Sequence, residues 1–294
     1  MPERPPLTSR ARDALRERLS FSTRRRIAMA RVSLRRPTSR WRALPDLLVI
    51  GVQRGGTSSL YRYLGAHPQV VPSLRKEVEF FTRRYTEGAG WYLAHFPLRR
   101  RGTITFEADP YYMFHPLAAG RAAALVPGAR LVVMLRDPVK RAFSHWQHNR
   151  RLGVEPLEFA AALEAEPERL AGEEERMMAD PGYDPWNHNM LSYAGRGRYA
   201  IQLKKWLEHY PEEHLLVIRS EDFYTDTPAA LDLVVSFLQL EPWRPPEFAN
   251  WSYSRSGGPP KEKIDTEIAT ALAETFAADN RELEAMLGWD AKWT

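Results

Sequence analysis

The residues best suited to chemistry follow a short apolar run near residue 50. That run, residues 47–50, has the length and branching typical of a buried strand. Glycines, one arginine and two hydroxyl residues then lead into a helical pattern, in the order Gly51, Val52, Gln53, Arg54, Gly55, Gly56, Thr57 and Ser58. Backbone N–H groups and a helix dipole point into such a turn, so the pattern predicts a site for phosphate or a similar anion. A plain glycine turn with a surface arginine is the alternative.

The loop differs from the nucleoside-triphosphate motif at one position. In G-x-x-x-x-G-K-[ST], a lysine follows the second glycine and a hydroxyl group holds magnesium. Counting from Gly51, the second glycine is Gly56, and Thr57 stands where the lysine is expected. Arg54, inside the turn, supplies the cation instead. The sequence therefore argues against an ordinary ATPase or kinase.

A second strand end carries residues of the same kind. Residues 131–135 form an almost continuous apolar run, as expected for a strand covered on both faces. Arg136 and Asp137 follow, and Pro138 suits the first position of a helix. Ser144 lies two turns into that helix, so Arg136 and Ser144 can both face the glycine loop. An arginine–aspartate pair that only caps a helix is the alternative.

Acidic residues stand in two further segments. Glu77 and Glu79 alternate with apolar residues in KEVEFF. This pattern fits a functional carboxylate beside a partly buried wall, or equally an edge strand with both carboxylates in solvent. Glu107 and Asp109 end another strand pattern, ITFEA, and acids at that edge of an open α/β sheet lie where ligands bind.

Strand and helix patterns alternate along the chain. This predicts an α/β fold, a three-layer P-loop-like domain with a mainly parallel central sheet flanked by helices. The chain has 294 residues, 44% hydrophobic and 27% charged, as in soluble globular proteins. The absence of cysteine excludes disulfides, thiol catalysis and cysteine-bound metals, and fits a reducing compartment. No apolar run approaches the roughly 20 residues of a membrane span.

The net charge of +5 is unevenly distributed. Residues 1–45 contain 13 arginines and three acids, so the remainder of the chain is mildly acidic. We predict that residues 1–45 are a basic extension and that residues 46–294 form a single domain. Two interpretations of the extension stay open: a disordered segment, or a basic amphipathic helix that contacts an anionic membrane or a partner. It lacks the apolar centre of a signal peptide.

Several segments together resemble the sulfotransferases that use 3′-phosphoadenosine 5′-phosphosulfate (PAPS), and most closely the heparan sulfate-type N-deacetylase/N-sulfotransferases and 3-O-sulfotransferases. They are GVQRGGTSSLYRYLGAHP, KEVEFF, GAGWYLAHFP, FEADPYY and LVVMLRDPVKRAFSHW, in the family's order. The resemblance covers most of residues 46–294. It implies an enzyme that moves the sulfuryl group of PAPS in line to an acceptor and releases 3′-phosphoadenosine 5′-phosphate (PAP), without a metal.

The resemblance also implies roles for individual residues. Glu77 matches the general base, and Arg54 would meet the charge that grows on the leaving oxygen. The loop would hold the 5′-phosphosulfate, Arg136 and Ser144 would hold the 3′-phosphate, and a late basic loop would cover the nucleotide. The implied cofactor-binding residues are Arg54, Gly55, Gly56, Thr57, Ser58, Arg136, Ser144, Arg255 and Lys261.

The sequence departs from the family at two positions. Lysine is usual at the position of Arg54, and a fork-shaped guanidinium is not equivalent to an ammonium group. The animal heparan-type enzymes place a second lysine directly after the glutamate that matches Glu107, whereas this chain has Ala108. The resemblance gives no role to a histidine, so we expect structural roles for His95, His115, His145 and His148; a histidine base, as in the cytosolic phenol and steroid sulfotransferases, is the alternative.

The expected acceptor is a hydroxyl, or less readily an amine, of a carbohydrate or small metabolite. We expect no nucleic-acid partner, possible peripheral membrane contact through the arginine-rich extension, and a cytoplasmic, bacterial enzyme. Two other classes stay open: a P-loop kinase or NTPase that uses magnesium and ATP, and a non-catalytic nucleotide-binding protein. Binding of PAP in preference to ATP would distinguish a sulfotransferase from a kinase or NTPase. A sulfate-transfer assay would distinguish a sulfotransferase from a non-catalytic protein.

Overall fold

Five parallel strands form the central sheet. The computed structural model describes residues 21–248, 263–290 and 293. The strands are β1 (Leu47–Gly51), β2 (Val70–Pro72), β3 (Ile104–Ala108), β4 (Arg130–Leu135) and β5 (Leu215–Arg219). Their order in the sheet is β2-β3-β1-β4-β5, and each neighbouring pair is parallel. Chain order reverses at β1, so a crevice for ligands is expected where β1 and β4 end.

Twelve α-helices accompany the sheet in the described residues. The first six are α1 (Phe21–Arg35), α2 (Thr57–Leu64), α3 (Ala89–Leu93), α4 (Ala118–Leu125), α5 (Pro138–Arg151) and α6 (Phe159–Leu170). The others are α7 (Glu173–Ala179), α8 (Trp186–Met190), α9 (Tyr199–Leu207), α10 (Ser220–Thr225), α11 (Thr227–Phe237) and α12 (Thr266–Leu287). Short 3₁₀ turns occupy Arg36–Trp41, Tyr85–Glu87, Gly195–Gly197 and Glu212–His214.

The central strands are buried on both faces. All five residues of β1 are buried, and they alternate between two hydrophobic clusters. Leu48 and Ile50 pack in a cluster with residues of α4 and α9, whereas Leu47 and Val49 pack in a cluster with residues of α2 and α11. Because side chains alternate across a strand, apolar residues at every position require a helical layer on each side. The predicted three-layer α/β fold with a parallel sheet is therefore confirmed.

The second part of the predicted basic extension is helical and continues into the domain. Val32 of α1 is 2% exposed and belongs to the core cluster that contains Leu48. Arg42 donates a hydrogen bond from Nη1 to the carbonyl oxygen of Phe96 at 2.8 Å. The division of the chain at residue 45 stays a prediction, although residues 32 and 42 are buried against the predicted domain. Within the described part of the chain, no helix is long and apolar enough to cross a membrane.

Candidate active site

The glycine loop joins β1 to α2 as the sequence predicts. Gly56 has φ of 104°, a backbone conformation that favours glycine, and directly precedes the first helical residue, Thr57. A Cβ atom at Gly55 would overlap the carbonyl oxygen of Met134 on β4, so the loop can approach that strand only with glycine here. The first N–H groups of a helix have no partner within it, and the helix dipole favours anions at this end. The loop therefore has the geometry of an anion site.

Hydrogen bonds join this loop to the second predicted anion site. Arg136, directly after β4, donates from Nη1 to the carbonyl oxygen of Arg54 at 3.1 Å. The Nε of Arg54 donates to the Oγ of Ser144 on α5, also at 3.1 Å. Asp137 caps α5 by accepting from the N–H groups of Val139 and Lys140, which fixes the helix that carries Ser144. The structure thus brings Arg54, Arg136 and Ser144 together where β1 and β4 end, the region called the crevice below.

The segment after β5 also contacts the loop, which the sequence analysis did not predict. The Oγ of Ser220 donates to the carbonyl oxygen of Gly55. The hydroxyl of Tyr224 lies 3.5 Å from the Oγ of Ser59, beside Gly56. No motif marks these residues. The available signal was their position, since the carboxyl end of β5 lies at the same edge of the parallel sheet as the loop.

Glu77 lies in a loop rather than in an edge strand. Its φ is 61°, and its N–H donates to the carbonyl oxygen of Ala108 at the end of β3. The side chain is 51% exposed and pairs with the Nζ of Lys76 at 2.6 Å. Its carboxylate is therefore accessible to a ligand, and the loop that carries it is fixed to the sheet edge.

Glu107 and Asp109 are buried and support neighbouring segments. Glu107 accepts hydrogen bonds on Oε1 from the hydroxyls of Tyr92 and Tyr112. Burial raises its pKa to about 7, although these bonds oppose the rise. Asp109 accepts from the N–H groups of Tyr111 and Glu79. Burial, and then the charge of Glu77, raise the pKa of Asp109 well above its ordinary value. The sequence predicted that Glu107 and Asp109 lie where ligands bind, but both side chains are buried and bind neighbouring protein groups instead.

One histidine is less buried than the others and is affected by charges of the proposed site. Burial lowers the pKa of His95 to about 4, that of His115 to about 2 and that of His145 well below its ordinary value. His148, on α5, is only half-buried, and its pKa is lowered by burial and then by the charge of Arg54, against an opposing effect of Glu77. His148 therefore lies within electrostatic range of both predicted catalytic residues, although it stands in no motif that the sequence analysis used.

The crevice is distinct from two open cavities elsewhere on the protein. One, of about 340 Å³, is lined by residues that precede β1 and β3, at the opposite edge of the sheet. The other, of about 390 Å³, lies beside β5 and the end of α12. Neither includes a loop residue. We assign the site by its donors, because an anion held by backbone N–H groups and arginines does not need a deep apolar cavity. Within the described ranges, no cluster of three histidine or acidic residues could hold a metal ion.

Comparison with known proteins identifies the family. The sulfotransferase domain family matches residues 44–249. The chain belongs to the sulfotransferase family. It is 32% identical over 220 residues to the bifunctional heparan sulfate N-deacetylase/N-sulfotransferase 1 of Caenorhabditis elegans, and these residues cover 73% of this chain and 24% of that protein. It is 33% identical over 213 residues to the human bifunctional heparan sulfate N-deacetylase/N-sulfotransferase 3, and these residues cover 68% of this chain and 23% of that protein. The chain thus spans about a quarter of these relatives' length.

A solved structure agrees with this assignment. The sulfotransferase of Alicyclobacillus acidocaldarius has a TM-score of 0.66 and 28% identity, covering 84% of this chain and 97% of that one. The resemblance to the family, the enzyme class and PAPS as sulfuryl donor are thereby confirmed. The two joined anion sites also suit a donor with anionic groups at both the 5′ and 3′ positions. The roles of individual residues stay predictions, and Arg255 and Lys261 lie outside the described residues.

Proposed function

We propose that this domain transfers the sulfuryl group of PAPS to a hydroxyl, or less readily an amine, of a carbohydrate or small metabolite. The hydrogen bond between Arg54 Nε and Ser144 Oγ carries the proposal. It links the loop proposed for the 5′ end of the nucleotide to the helix proposed for its 3′-phosphate. A site that distinguishes PAPS from ATP needs both anchors within one ligand's length.

On the nucleotide side, the loop backbone and hydroxyl groups are proposed to bind the 5′-phosphosulfate. Thr57 is buried and Ser58 is exposed, so the Ser58 hydroxyl is the more accessible of the two. Arg136 and Ser144 are proposed to bind the 3′-phosphate, to which a guanidinium can donate two hydrogen bonds. Arg255 and Lys261 remain predicted contacts of the nucleotide.

On the acceptor side, Glu77 is proposed as the general base. Bound PAPS supplies an electrophilic sulfur and a phosphate leaving group. The exposed carboxylate of Glu77 takes the proton of the acceptor, and the Nζ of Lys76, 2.6 Å away, pairs with this carboxylate. Arg54 stabilises negative charge next to the loop.

For the acceptor, the curated relatives suggest a glycan. Their names specify heparan sulfate, and we propose carbohydrate sulfation for this chain on that ground. The basic residues near Glu77 are engaged in ion pairs, since Arg75 contacts Glu79 and Arg83 contacts both Glu79 and Asp184. Membrane contact through residues 1–45 and a cytoplasmic location stay proposals, the latter supported by the cysteine-free sequence.

The decisive experiment combines an acceptor screen with a variant of the base. Wild-type protein is incubated with labelled PAPS and glycan or small-molecule acceptors, and products are detected by mass. Glu77→Gln should lower turnover by about 10²–10⁴-fold, the usual contribution of a general base, while PAP affinity stays unchanged. Glu87→Gln is the control, because Glu87 is also partly exposed and ion-paired, with Arg84. Near-normal turnover of Glu77→Gln would refute the assignment of the base.

A further inference from the structure

A buried arginine outside every sequence motif contacts the anion loop. Arg196 lies in the 3₁₀ turn Gly195–Gly197 and is 3% exposed. Its Nη1 donates to the Oε1 of Gln53, within the loop, at 2.8 Å. Its Nε donates to the Oγ of Ser192 at 3.1 Å, and its Nη2 donates to the Oδ1 of Asn189 at 2.9 Å. One guanidinium thus joins the loop after β1 to α8, which contains Asn189, and to Ser192 just after that helix.

Aromatic rings hold the same guanidinium on a third segment. Its central carbon lies 4.8 Å from the ring centroid of Tyr111 and 5.2 Å from that of Phe114, both of which follow β3. The Tyr111 hydroxyl in turn contacts Nδ1 of His188 at 2.8 Å. Cation–π contacts and a planar fork of donors fix a guanidinium in orientation as well as in place. Arg196 therefore has a defined geometry relative to the anion loop and to the segment after β3.

The energetic cost of this arrangement indicates a specific role. Among the described residues, no carboxylate lies within ion-pair distance of Arg196, and burial lowers its pKa to about 10. A buried charge without a counterion is expensive, and neutral hydrogen bonds and rings only partly offset the cost. An apolar residue would fill such a position at lower cost if packing were its only role.

The chemistry of the pair also fixes the direction of the Gln53 amide. A guanidinium can only donate hydrogen bonds, so the amide oxygen must face Arg196 and the NH₂ group must point away from it. Gln53 directly precedes Arg54, whose side chain reaches Ser144. A change in the orientation of Gln53 therefore acts on the residue at the centre of the proposed anion site.

We infer that Arg196 is a positioning residue, which orders the anion loop through Gln53 and thereby sets the affinity of the site for the 5′-phosphate of the nucleotide. The inference rests on the proposed function only in that the loop binds PAP. It requires neither an identified acceptor nor a role for Glu77.

A double-mutant cycle on the full chain tests the inference with PAP as the probe. Arg196→Lys keeps the positive charge but removes the planar set of guanidinium donors. Gln53→Leu removes the amide oxygen that accepts the hydrogen bond from Arg196, at a partly exposed position. Each change should weaken PAP binding, measured by calorimetry, by about 5- to 10-fold, and the double variant should be no weaker than the more affected single variant. Such non-additivity shows that Arg196 acts through Gln53.

Two matched substitutions control for loss of stability. Arg42→Lys alters another buried arginine with three hydrogen bonds, and Gln69→Leu alters another partly buried glutamine, both at the opposite edge of the sheet. Both should retain wild-type PAP affinity even where the melting temperature falls. The inference is wrong if Gln53→Leu binds PAP as wild type does, or if the two single effects multiply. If the wild-type protein did not bind PAP, the proposed function itself would be refuted.

Discussion

The two sides of the crevice are built by different means. The proposed nucleotide side, defined as residues 51–58 with Arg136 and Ser144, lies at the ends of two central strands and in the first turns of two helices. Its shape follows from close backbone packing and from two side-chain hydrogen bonds of 3.1 Å. The proposed acceptor side, defined as residues 73–79 with Glu107 and Asp109, is a loop fixed to the end of β3 by N–H groups and buried acids.

The difference separates binding from proton transfer. Donors and positive charge dominate the nucleotide side, and they need no change of protonation in order to bind an anion. The acceptor side holds three neighbouring acids in unlike environments, with Glu77 exposed and the pKa values of Glu107 and Asp109 raised by burial. Of the three side chains, only that of Glu77 is exposed and can reach an acceptor. Substitutions on the two sides should therefore affect different measurements.

The largest expected effect is on the nucleotide side, at Gly55. Gly55→Ala places a Cβ atom against the carbonyl oxygen of Met134, and a backbone atom of a central strand cannot move aside at low cost. The loop must shift away from β4, and with it Arg54. We expect PAP affinity to fall by at least about 100-fold, equivalent to roughly 3 kcal/mol, measured by calorimetry.

Gly128→Ala provides the matched control. A Cβ atom at Gly128 would meet no atom within 4 Å, so the same change in chemistry should leave PAP affinity unaltered. Wild-type affinity in Gly55→Ala would show that the loop tolerates displacement. The statement that close backbone packing determines the shape of the nucleotide side would then be wrong.

The second effect concerns the acceptor side and the dependence of stability on pH. The ordinary pKa of Glu107, 4.5, rises to about 7 in the folded protein. The folded state therefore holds more protons than the unfolded chain between these values, and the free energy of unfolding should fall as pH rises through this window. The loss is on the order of 3 kcal/mol when complete, above about pH 7.

Glu107→Gln should remove much of this dependence. The amide cannot ionise, and its oxygen can still accept the bonds from Tyr92 and Tyr112, so the variant should be more stable than wild type at pH 8 and similar at pH 5. Denaturant unfolding at the two pH values measures the difference. Glu87→Gln, on an exposed turn, should keep the wild-type profile. A profile of Glu107→Gln that matches wild type would show that Glu107 is ionised in the folded state.

The nucleotide side was the more predictable of the two from the sequence. The order of apolar run, glycines and hydroxyl residues defines β1, the loop and α2, and Pro138 begins α5 as predicted. These features depend on local backbone rules, namely burial of a strand, the freedom of glycine and the fixed φ of proline. These rules depend only on residues that are adjacent in the sequence, so the features can be recognised without knowledge of tertiary contacts.

The acceptor side depends on contacts between distant residues. KEVEFF alternates as an edge strand does, yet Glu77 and Glu79 have φ of 61° and 63°, because their N–H groups bind Ala108 and Asp109. Strand alternation places Glu107 at the sheet edge, but Tyr92 and Tyr112 enclose it. The contact of Arg196 with the loop spans 143 residues. Sequence periodicity does not indicate which distant residues are in contact, so these contacts could not be predicted.

The smallest expected effect decides to which side Arg54 belongs. Arg54→Lys keeps the positive charge and restores the residue usual in the family, but it removes the Nε donor to Ser144. We expect kcat to fall by about 3- to 5-fold and PAP affinity to stay within about 3-fold, measured by steady-state kinetics and calorimetry. Arg62→Lys, at an exposed position on α2, should change neither kcat nor PAP affinity.

A fall in kcat alone would assign Arg54 to charge stabilisation during transfer, because PAP binding would then not require the guanidinium. A fall in PAP affinity of more than about 100-fold would instead show that the guanidinium fork is part of the nucleotide anchor, and that an ammonium group cannot take its place at this position.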